Sequence, residues 1–173
     1  MRAAAAALAI CVAGCAHGPP AKTAATVWYP GAERQLSERD EDLFGSEIHL
    51  RWAGDTWRGD AYGQLVELTE KDGHVSGTFG GTPVDLTVEI AGDVTHVRGL
   101  FRTELGDLRI GPSAIEGKMG RCSYDLKSSD GSSYTGYRQC RAPTEPTRVT
   151  LSSFLPHPIG AGRAGPLLIL ISQ

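Results

Sequence analysis

Six residues near the end of the sequence, Gly160 to Gly165, read "GAGRAG" and match the Gly-x-Gly-x-x-Gly fingerprint of dinucleotide-binding loops. In that chemistry the glycines let the backbone approach a pyrophosphate, which binds at the N-terminus of a helix inside a strand-helix-strand unit. Here Pro166 follows the fingerprint directly, and the sequence continues only from Pro166 to Gln173. We therefore expect no pyrophosphate-binding helix at this place and no nucleotide cofactor.

The other residues that could do chemistry are histidines and carboxylates. His74 and His96 hold equivalent positions in successive segments, but their imidazoles would point in parallel from strands about 10 Å apart, whereas tetrahedral zinc needs convergent ligands. The motifs Gly-x-Ser-x-Gly and His-Glu-x-x-His do not occur in the sequence. Acids such as Glu67, Asp85 and Asp107 alternate with apolar residues, which places them on the outside of strands. We predict a non-enzymatic protein with no catalytic residues, no metal site and no cofactor.

The first residues, "MRAAAAALAICVAGCAHG", contain one cation, a short apolar run and then a cysteine. This pattern is typical of a secretory signal and is too short to span a bilayer. The four residues from Val12 to Cys15 resemble the lipobox of bacterial lipoproteins. The resemblance implies a signal peptide at residues 1–14 and fatty acyl chains, such as palmitate, on Cys15, each buried methylene contributing about 0.8 kcal/mol to anchoring. Because Ala16 and not aspartate follows the cysteine, the resemblance also implies an outer-membrane lipoprotein facing the periplasm or the cell surface.

The predicted compartment also determines what is expected of the other cysteines. Cys11 is removed with the signal, and Cys122 and Cys140 are left in an oxidising environment. We predict that they form one disulfide.

The composition indicates one domain and argues against some partners. Lysine and arginine number 17 against 20 aspartates and glutamates. Without Arg2 of the signal the balance is 16 against 20, a net charge of −4, so nothing indicates nucleic acid. No apolar run after the signal reaches the roughly 18 residues of a membrane helix.

One pattern recurs through the middle of the chain: apolar, any, Gly, any, apolar, five residues, acid, Leu. Its starts lie 18, 22, 18 and 19 residues apart, which suits one β-hairpin per unit. Four full copies and a partial fifth occur: "WRGDAYGQLVEL" from Trp57, "VSGTFGGTPVDL" from Val75, "VRGLFRTELGDL" from Val97, "IEGKMGRCSYDL" from Ile115 and "YTGYR" from Tyr134.

The turns between the copies fix their register. A two-residue turn at Asp72-Gly73 pairs Lys71 with His74 and sets Leu68 opposite Gly77. The same counting sets the closing leucine of each unit opposite the glycine of the next: Leu86 with Gly99, Leu108 with Gly117 and Leu126 with Gly136. It also sets Cys122 opposite Cys140. Since glycine weakens a strand, its recurrence calls for a packing reason: it lets the strand bend and leaves room for the neighbouring leucine.

We therefore predict an all-β fold, an antiparallel up-and-down meander of repeated hairpins closing into a small soluble β-barrel of ten to twelve strands. Its domain is residues 47–173, and residues 15–46 are the lipidated cysteine and a flexible tether. The segments "EIHLRW" and "RVTLSSFL" read as further strands, and "PLLILISQ" as a last one. On the outside, charged rows are expected across three strands: Asp107, Lys118 and Asp125, and next to them Arg109, Glu116 and Lys127.

One loop suggests binding. It comprises Asp130, Gly131, Ser132, Ser133 and Tyr134 at the tip of the disulfide-braced hairpin. Its Gly131-Ser132-Ser133-Tyr134 is similar to the Ser-Gly-x-x-Tyr motif of the periplasmic lysozyme inhibitors, another lipoprotein group with small β-barrels, although Asp130 replaces the serine. The similarity implies a lysozyme-inhibitor-like protein and covers this loop alone.

The sequence favours a lipid-anchored envelope lipoprotein that works as a non-catalytic binding or structural module with an envelope protein partner. The alternative is a lipocalin-like barrel that binds a small apolar ligand. The two differ in the interior: bulky Trp52, Trp57, Phe79, Phe101 and Tyr124 either fill the space beside the glycines or leave a cavity.

Overall fold

The computed structural model describes residues 20–140, 143–152 and 157–172, and Cys15 lies outside this range. Fourteen antiparallel strands follow one another around a closed barrel, each paired with its neighbours in sequence, and β1 closes the ring against β14. The predicted all-β meander barrel is confirmed. The strands are β1 (Lys22–Tyr29), β2 (Ala32–Arg39), β3 (Asp42–Phe44), β4 (Ile48–Ala53), β5 (Thr56–Ala61), β6 (Gln64–Lys71), β7 (His74–Phe79), β8 (Thr82–Ala91), β9 (Val94–Phe101), β10 (Glu104–Gly111), β11 (Ala114–Met119), β12 (Cys122–Ser128), β13 (Ser133–Gln139) and β14 (Glu145–Leu151); the helix α1 is Ala161–Ile171.

The predicted register between repeats is confirmed in every hairpin. Leu68 pairs with Gly77, Leu86 with Gly99, Leu108 with Gly117 and Leu126 with Gly136. All four leucines are fully buried. The repeat is therefore an architectural unit of the barrel wall.

The repeated glycine is explained by a contact with the backbone of the neighbouring strand, which the sequence alone did not indicate. Gly77 has φ +146°, and a Cβ built on it would lie 2.0 Å from the carbonyl oxygen of Glu67 on the neighbouring strand. The repeat glycines at 59, 99, 117 and 136 meet an equivalent carbonyl at 2.0 to 2.2 Å. Glycine is thus required where two strand backbones approach each other, and not mainly to make room for the leucine side chain.

The barrel begins earlier in the chain than predicted. Residues 22–44, assigned to a flexible tether within 15–46, form β1, β2 and β3, and so the strand count is fourteen and not ten to twelve. These strands lack the glycine-leucine unit, but they alternate in burial and supply Val27, Leu36 and Leu43 to the core. Residues 22–44 are therefore part of the barrel and not of a tether.

The last predicted strand is a helix. Residues of "PLLILISQ" belong to α1, which begins inside the "GAGRAG" segment with Gly160 as its N-cap. A helix does begin at this place, although it is not part of a strand-helix-strand unit, and the expectation that it binds no pyrophosphate stays a prediction. Its apolar side chains are buried on every face from Ala164 to Ile171, as expected of a helix surrounded by protein.

Helix α1 lies in the lumen of the barrel. Hydrogen bonds reach its ends from opposite parts of the wall: Trp57 Nε1 donates to Gly162 O (2.6 Å), and Tyr124 Oη donates to Ile171 O (2.8 Å). Burial raises the pKa of the Tyr124 phenol, which therefore stays a neutral donor. The lumen is thus plugged by the chain's own C-terminal segment.

Pro166 inside α1 is explained by the first of these bonds. Proline has no N–H, so the carbonyl four residues earlier, that of Gly162, lacks its helical donor. The indole of Trp57 supplies a donor from the wall. The helix tolerates the proline because β5 completes its hydrogen bonding.

Alternate turns of the meander lie at opposite rims of the barrel. We call near end the rim formed by the turns at residues 40–41, 54–55, 72–73, 92–93 and 112–113, and far end the rim formed by the turns at 30–31, 62–63, 80–81, 102–103 and 120–121. Strand β1 starts at the near end, and α1 runs from the near end toward the far end.

The charged rows on the outside are partly as predicted. Asp107 pairs with Lys118 as expected, but Lys118 then faces Ser123, because the turn at Gly120-Arg121 pairs Met119 with Cys122. Asp125 consequently lies opposite Glu116 and not opposite Lys118. In the second row Arg109 faces Glu116 as predicted, while Lys127 is displaced along β12 and reaches Glu116 diagonally through an ion pair. Ion pairs of this kind still cover the exposed surface, and each contributes little to the free energy of unfolding.

Candidate functional site

A pocket of about 420 Å³ opens at the far end, between the rim turns and the C-terminus of α1. It is the part of the lumen that the helix does not fill. Its walls combine charged and apolar groups. The residues that line it are Thr82, Phe101, Arg102, Thr103, Glu104, Gly120, Arg121, Cys122, Arg138, Cys140, Glu145 and Ser172.

Arg138 is the central charged group of this pocket, and its side chain is 5 % exposed. Its Nη2 donates to Glu145 Oε2 at 2.8 Å, and its Nη1 lies 3.5 Å from Ile171 O at the end of α1. The guanidinium also lies over the ring of Tyr29, 4.2 Å from the centroid. Glu145 is 42 % exposed, so solvent screens this ion pair, but the three contacts together hold the guanidinium in place.

The rim of the pocket carries further charges. Arg102 lies 5.0 Å above the ring of Phe79, and Arg121 lies 3.7 Å from Glu104. Counting the lining residues gives three guanidinium groups, from Arg102, Arg121 and Arg138, against two carboxylates, from Glu104 and Glu145. The lining residues that the structure describes therefore carry an excess of one positive charge beside the apolar surface of the walls.

The predicted disulfide forms one wall of this pocket. Cys122 and Cys140 are joined, 18 residues apart in sequence, as the register required. Closing a loop of that size stabilises the fold by about 3 kcal/mol. The bond also fixes the far end of β13, the strand that carries Arg138.

Four of the five large exposed apolar side chains among the described residues lie near this rim, and the fifth, Ile90, lies near the opposite one. Trp28 is 42 % exposed, Leu65 78 % and Leu105 74 %, and each is two residues from a far-end turn. Tyr137, 60 % exposed, lies on the outer face of β13. These four side chains lie singly on β1, β6, β10 and β13, which are not neighbouring strands, so they border the far end without forming one continuous apolar patch.

The predicted binding loop lies at the near end and uses its polar groups internally. Asp130 Oδ1 accepts the backbone N–H groups of Ser132 and Ser133 at 2.8 Å, and these bonds hold the pKa of its carboxyl at about 2. Tyr134 is fully buried, and its Oη donates to Gly111 O at 2.9 Å and contacts Gly131 O at 3.0 Å. Asp130 and Ser132 are exposed. The loop is thus a self-bonded turn and lies away from the far-end pocket.

The residues that sequence reasoning singled out for metal binding are also accounted for. His74 and His96 lie on the outer face and pair with Asp85 and Asp107 at 2.9 and 2.6 Å. Among the described residues, no three His, Cys, Asp or Glu side chains are grouped so that they could hold a metal ion. None of the helices in the described ranges is long and apolar enough to cross a membrane.

The far-end pocket was not predicted from the sequence because Arg138 was not assigned to the inner face of β13. Its position could have been read from the alternation of β13, since Tyr134, Gly136 and Arg138 share the face that pairs Gly136 with Leu126. An arginine on the inner face of a barrel is unusual and is itself a signal of a polar site.

Comparisons with protein-family models, with curated proteins and with solved structures find no match to this chain. The site is therefore interpreted from its own geometry.

Proposed function

We propose that this protein is a lipid-anchored, non-catalytic binding module of the bacterial envelope, held at the outer membrane by Cys15, and that it contacts its partner through the far end. The observation that carries this proposal is the far-end pocket, in which Arg138 is buried and fixed by Glu145. The positive excess and apolar walls suit a group that combines a carboxylate or another acid with apolar surface.

The path of the chain supports an orientation in which the near end faces the membrane. Strand β1 begins at the near end with Lys22, seven residues after Cys15. Fully extended, seven residues span about 25 Å. An anchor on Cys15 would hold the near end toward the membrane and leave the far-end pocket facing away from it.

The interior bears on the alternative functions. A lipocalin-like barrel needs a lumen open to a small apolar ligand, and here α1 occupies the lumen except at the far-end pocket of about 420 Å³. The lysozyme-inhibitor hypothesis stays a prediction for the loop at Asp130. Undiminished lysis by lysozyme at a saturating concentration of this protein would end it.

The proposal is tested by site-specific photo-crosslinking in intact envelopes. A photoreactive amino acid replaces Thr103 on the far-end rim, and a matched protein carries it at exposed Asp93 on the near end. We expect one dominant adduct from position 103 that is absent from position 93. Arg121→Glu should weaken that adduct, whereas Arg148→Glu on the outer face of β14 should leave it unchanged.

Two results would contradict this function. Identical adducts from both positions, or none from position 103, would remove the far end as the contact surface. The anchor is tested separately, because Cys15→Ser should release the protein from membranes, and membrane retention of that variant would contradict the lipid anchor.

A further inference from the structure

A second pocket, of about 270 Å³, lies at the near end beside the first turn of α1. Two acids from the turn between β2 and β3 and one from the end of β2 line it, together with two tryptophans from the hairpin of β4 and β5. These residues are Glu38, Asp40, Glu41, Trp52 and Trp57. The combination of indole rings and carboxylates differs from the lining of the far-end pocket.

The two indoles form a fixed wall. Their ring centroids are 4.9 Å apart with planes inclined by 54°. Trp57 is buried and held by its hydrogen bond to Gly162 O, whereas Trp52 is half-buried and faces the pocket. Trp52 therefore offers aromatic surface that does not need to reorganise when a ligand binds.

The acidic turn is attached to this wall. The backbone N–H of Trp52 donates to Glu41 O at 2.8 Å, which holds the turn beside the indole. Arg163 Nη2 lies 3.1 Å from Glu38 Oε1 and neutralises that acid. Among the described residues, Asp40 and Glu41 have no ion pair within 4.0 Å, so the pocket carries an excess of two negative charges.

We propose that the near-end pocket binds an organic ammonium cation. An ammonium group over an indole is attracted by the ring quadrupole, and the Asp40 and Glu41 carboxylates add attraction for the same charge. Anions are repelled by those carboxylates. The apolar wall favours a cation that carries alkyl groups over a bare metal ion.

The ammonium can come from a lipid headgroup or from a free amine. The headgroup is favoured only if the near end faces the membrane, and that part rests on the proposed function. The binding chemistry itself does not depend on the anchor, so the two parts can fail separately.

The test uses purified full-length protein with Trp28→Phe, so that the fluorescence of the three tryptophans is reduced to that of the two in the pocket. Tetramethylammonium chloride is titrated against sodium chloride at equal ionic strength. We expect a saturable change in tryptophan emission with tetramethylammonium alone. The double variant Asp40→Asn with Glu41→Gln should weaken binding about tenfold, while Asp93→Asn, which removes an exposed acid from another near-end turn, should leave it unchanged.

Trp52→Leu provides a second, independent readout, since it removes the ring but keeps the acids. Binding of tetramethylammonium should be lost while the far-ultraviolet circular dichroism stays that of a barrel. The proposal is overturned if tetramethylammonium changes emission no more than sodium chloride does, or if both pocket variants bind as tightly as the parent.

Vesicles then identify the source. The Cys15→Ser protein is mixed with vesicles whose lipids carry ethanolamine headgroups and with vesicles whose headgroups are glycerol. Cosedimentation with the first alone, lost in the Asp40→Asn, Glu41→Gln variant, assigns the lipid headgroup. Binding of tetramethylammonium without cosedimentation assigns a free amine and contradicts only the proposed orientation.

Discussion

Replacing Gly77 with alanine tests why the glycine recurs in each repeat. The new Cβ would lie 2.0 Å from Glu67 O, and a carbon-oxygen contact needs about 3.3 Å, so β6 and β7 must separate by about 1 Å. Two ladder hydrogen bonds beside the site would weaken by about 1 kcal/mol each, and alanine at φ +146° adds about 1–3 kcal/mol. We expect Gly77→Ala to lower the free energy of unfolding by about 3–5 kcal/mol.

Gly54→Ala is the matched control. Gly54 also has a positive φ, +68°, but nothing lies within 4 Å of an added Cβ. Only the backbone strain remains there, about 1 kcal/mol. Equilibrium urea unfolding followed by tryptophan fluorescence compares the two variants. If Gly77→Ala costs no more than Gly54→Ala, close backbone approach is not the reason for the repeat.

Two further predictions concern the helix and the buried phenols. Trp57→Phe leaves Gly162 O without a donor and should lower the free energy of unfolding by about 2 kcal/mol. The loss should be clearly smaller in a Pro166→Ala background, because residue 166 regains its N–H. Equal losses in both backgrounds would contradict the claim that Trp57 replaces the donor that Pro166 lacks. Burial raises the pKa of both Tyr62 and Tyr134 to about 12 from the usual 10.0, so the folded state keeps protons that the unfolded chain loses. Their contribution is complete below pH 10 and falls as the pH rises toward 12, which denaturation at several pH values measures. Tyr62→Phe should flatten that fall, and an unchanged profile would refute it.

The wall of the barrel was largely predictable because its information is local. Turn residues such as Asp72-Gly73 fix the register of a hairpin, and alternation fixes which side faces inward, so Leu68 opposite Gly77 could be counted from the sequence. The first three strands were missed because residues 22–44 lack the repeat pattern.

The plug was not predictable in the same way. A short apolar run such as that of Leu167 to Ile171 suits a buried strand or a buried helix equally well, and Pro166 argued against a helix. The helix forms because a distant residue, Trp57, supplies the hydrogen bond that the proline cannot. The far-end pocket likewise depends on where α1 stops beneath Arg138, a tertiary fact that no local pattern contains.

The position of α1 decides the architecture and, in the proposed function, the place where a partner would bind. Hydrogen-deuterium exchange of the full chain measures it directly, through the amides of Ala164, Gly165 and Leu167 to Ile171. We expect these amides to exchange as slowly as those of the central strands, because they open only when the barrel opens. Exchange within seconds, while the strands stay protected, would show that the helix leaves the lumen and would contradict a plugged barrel.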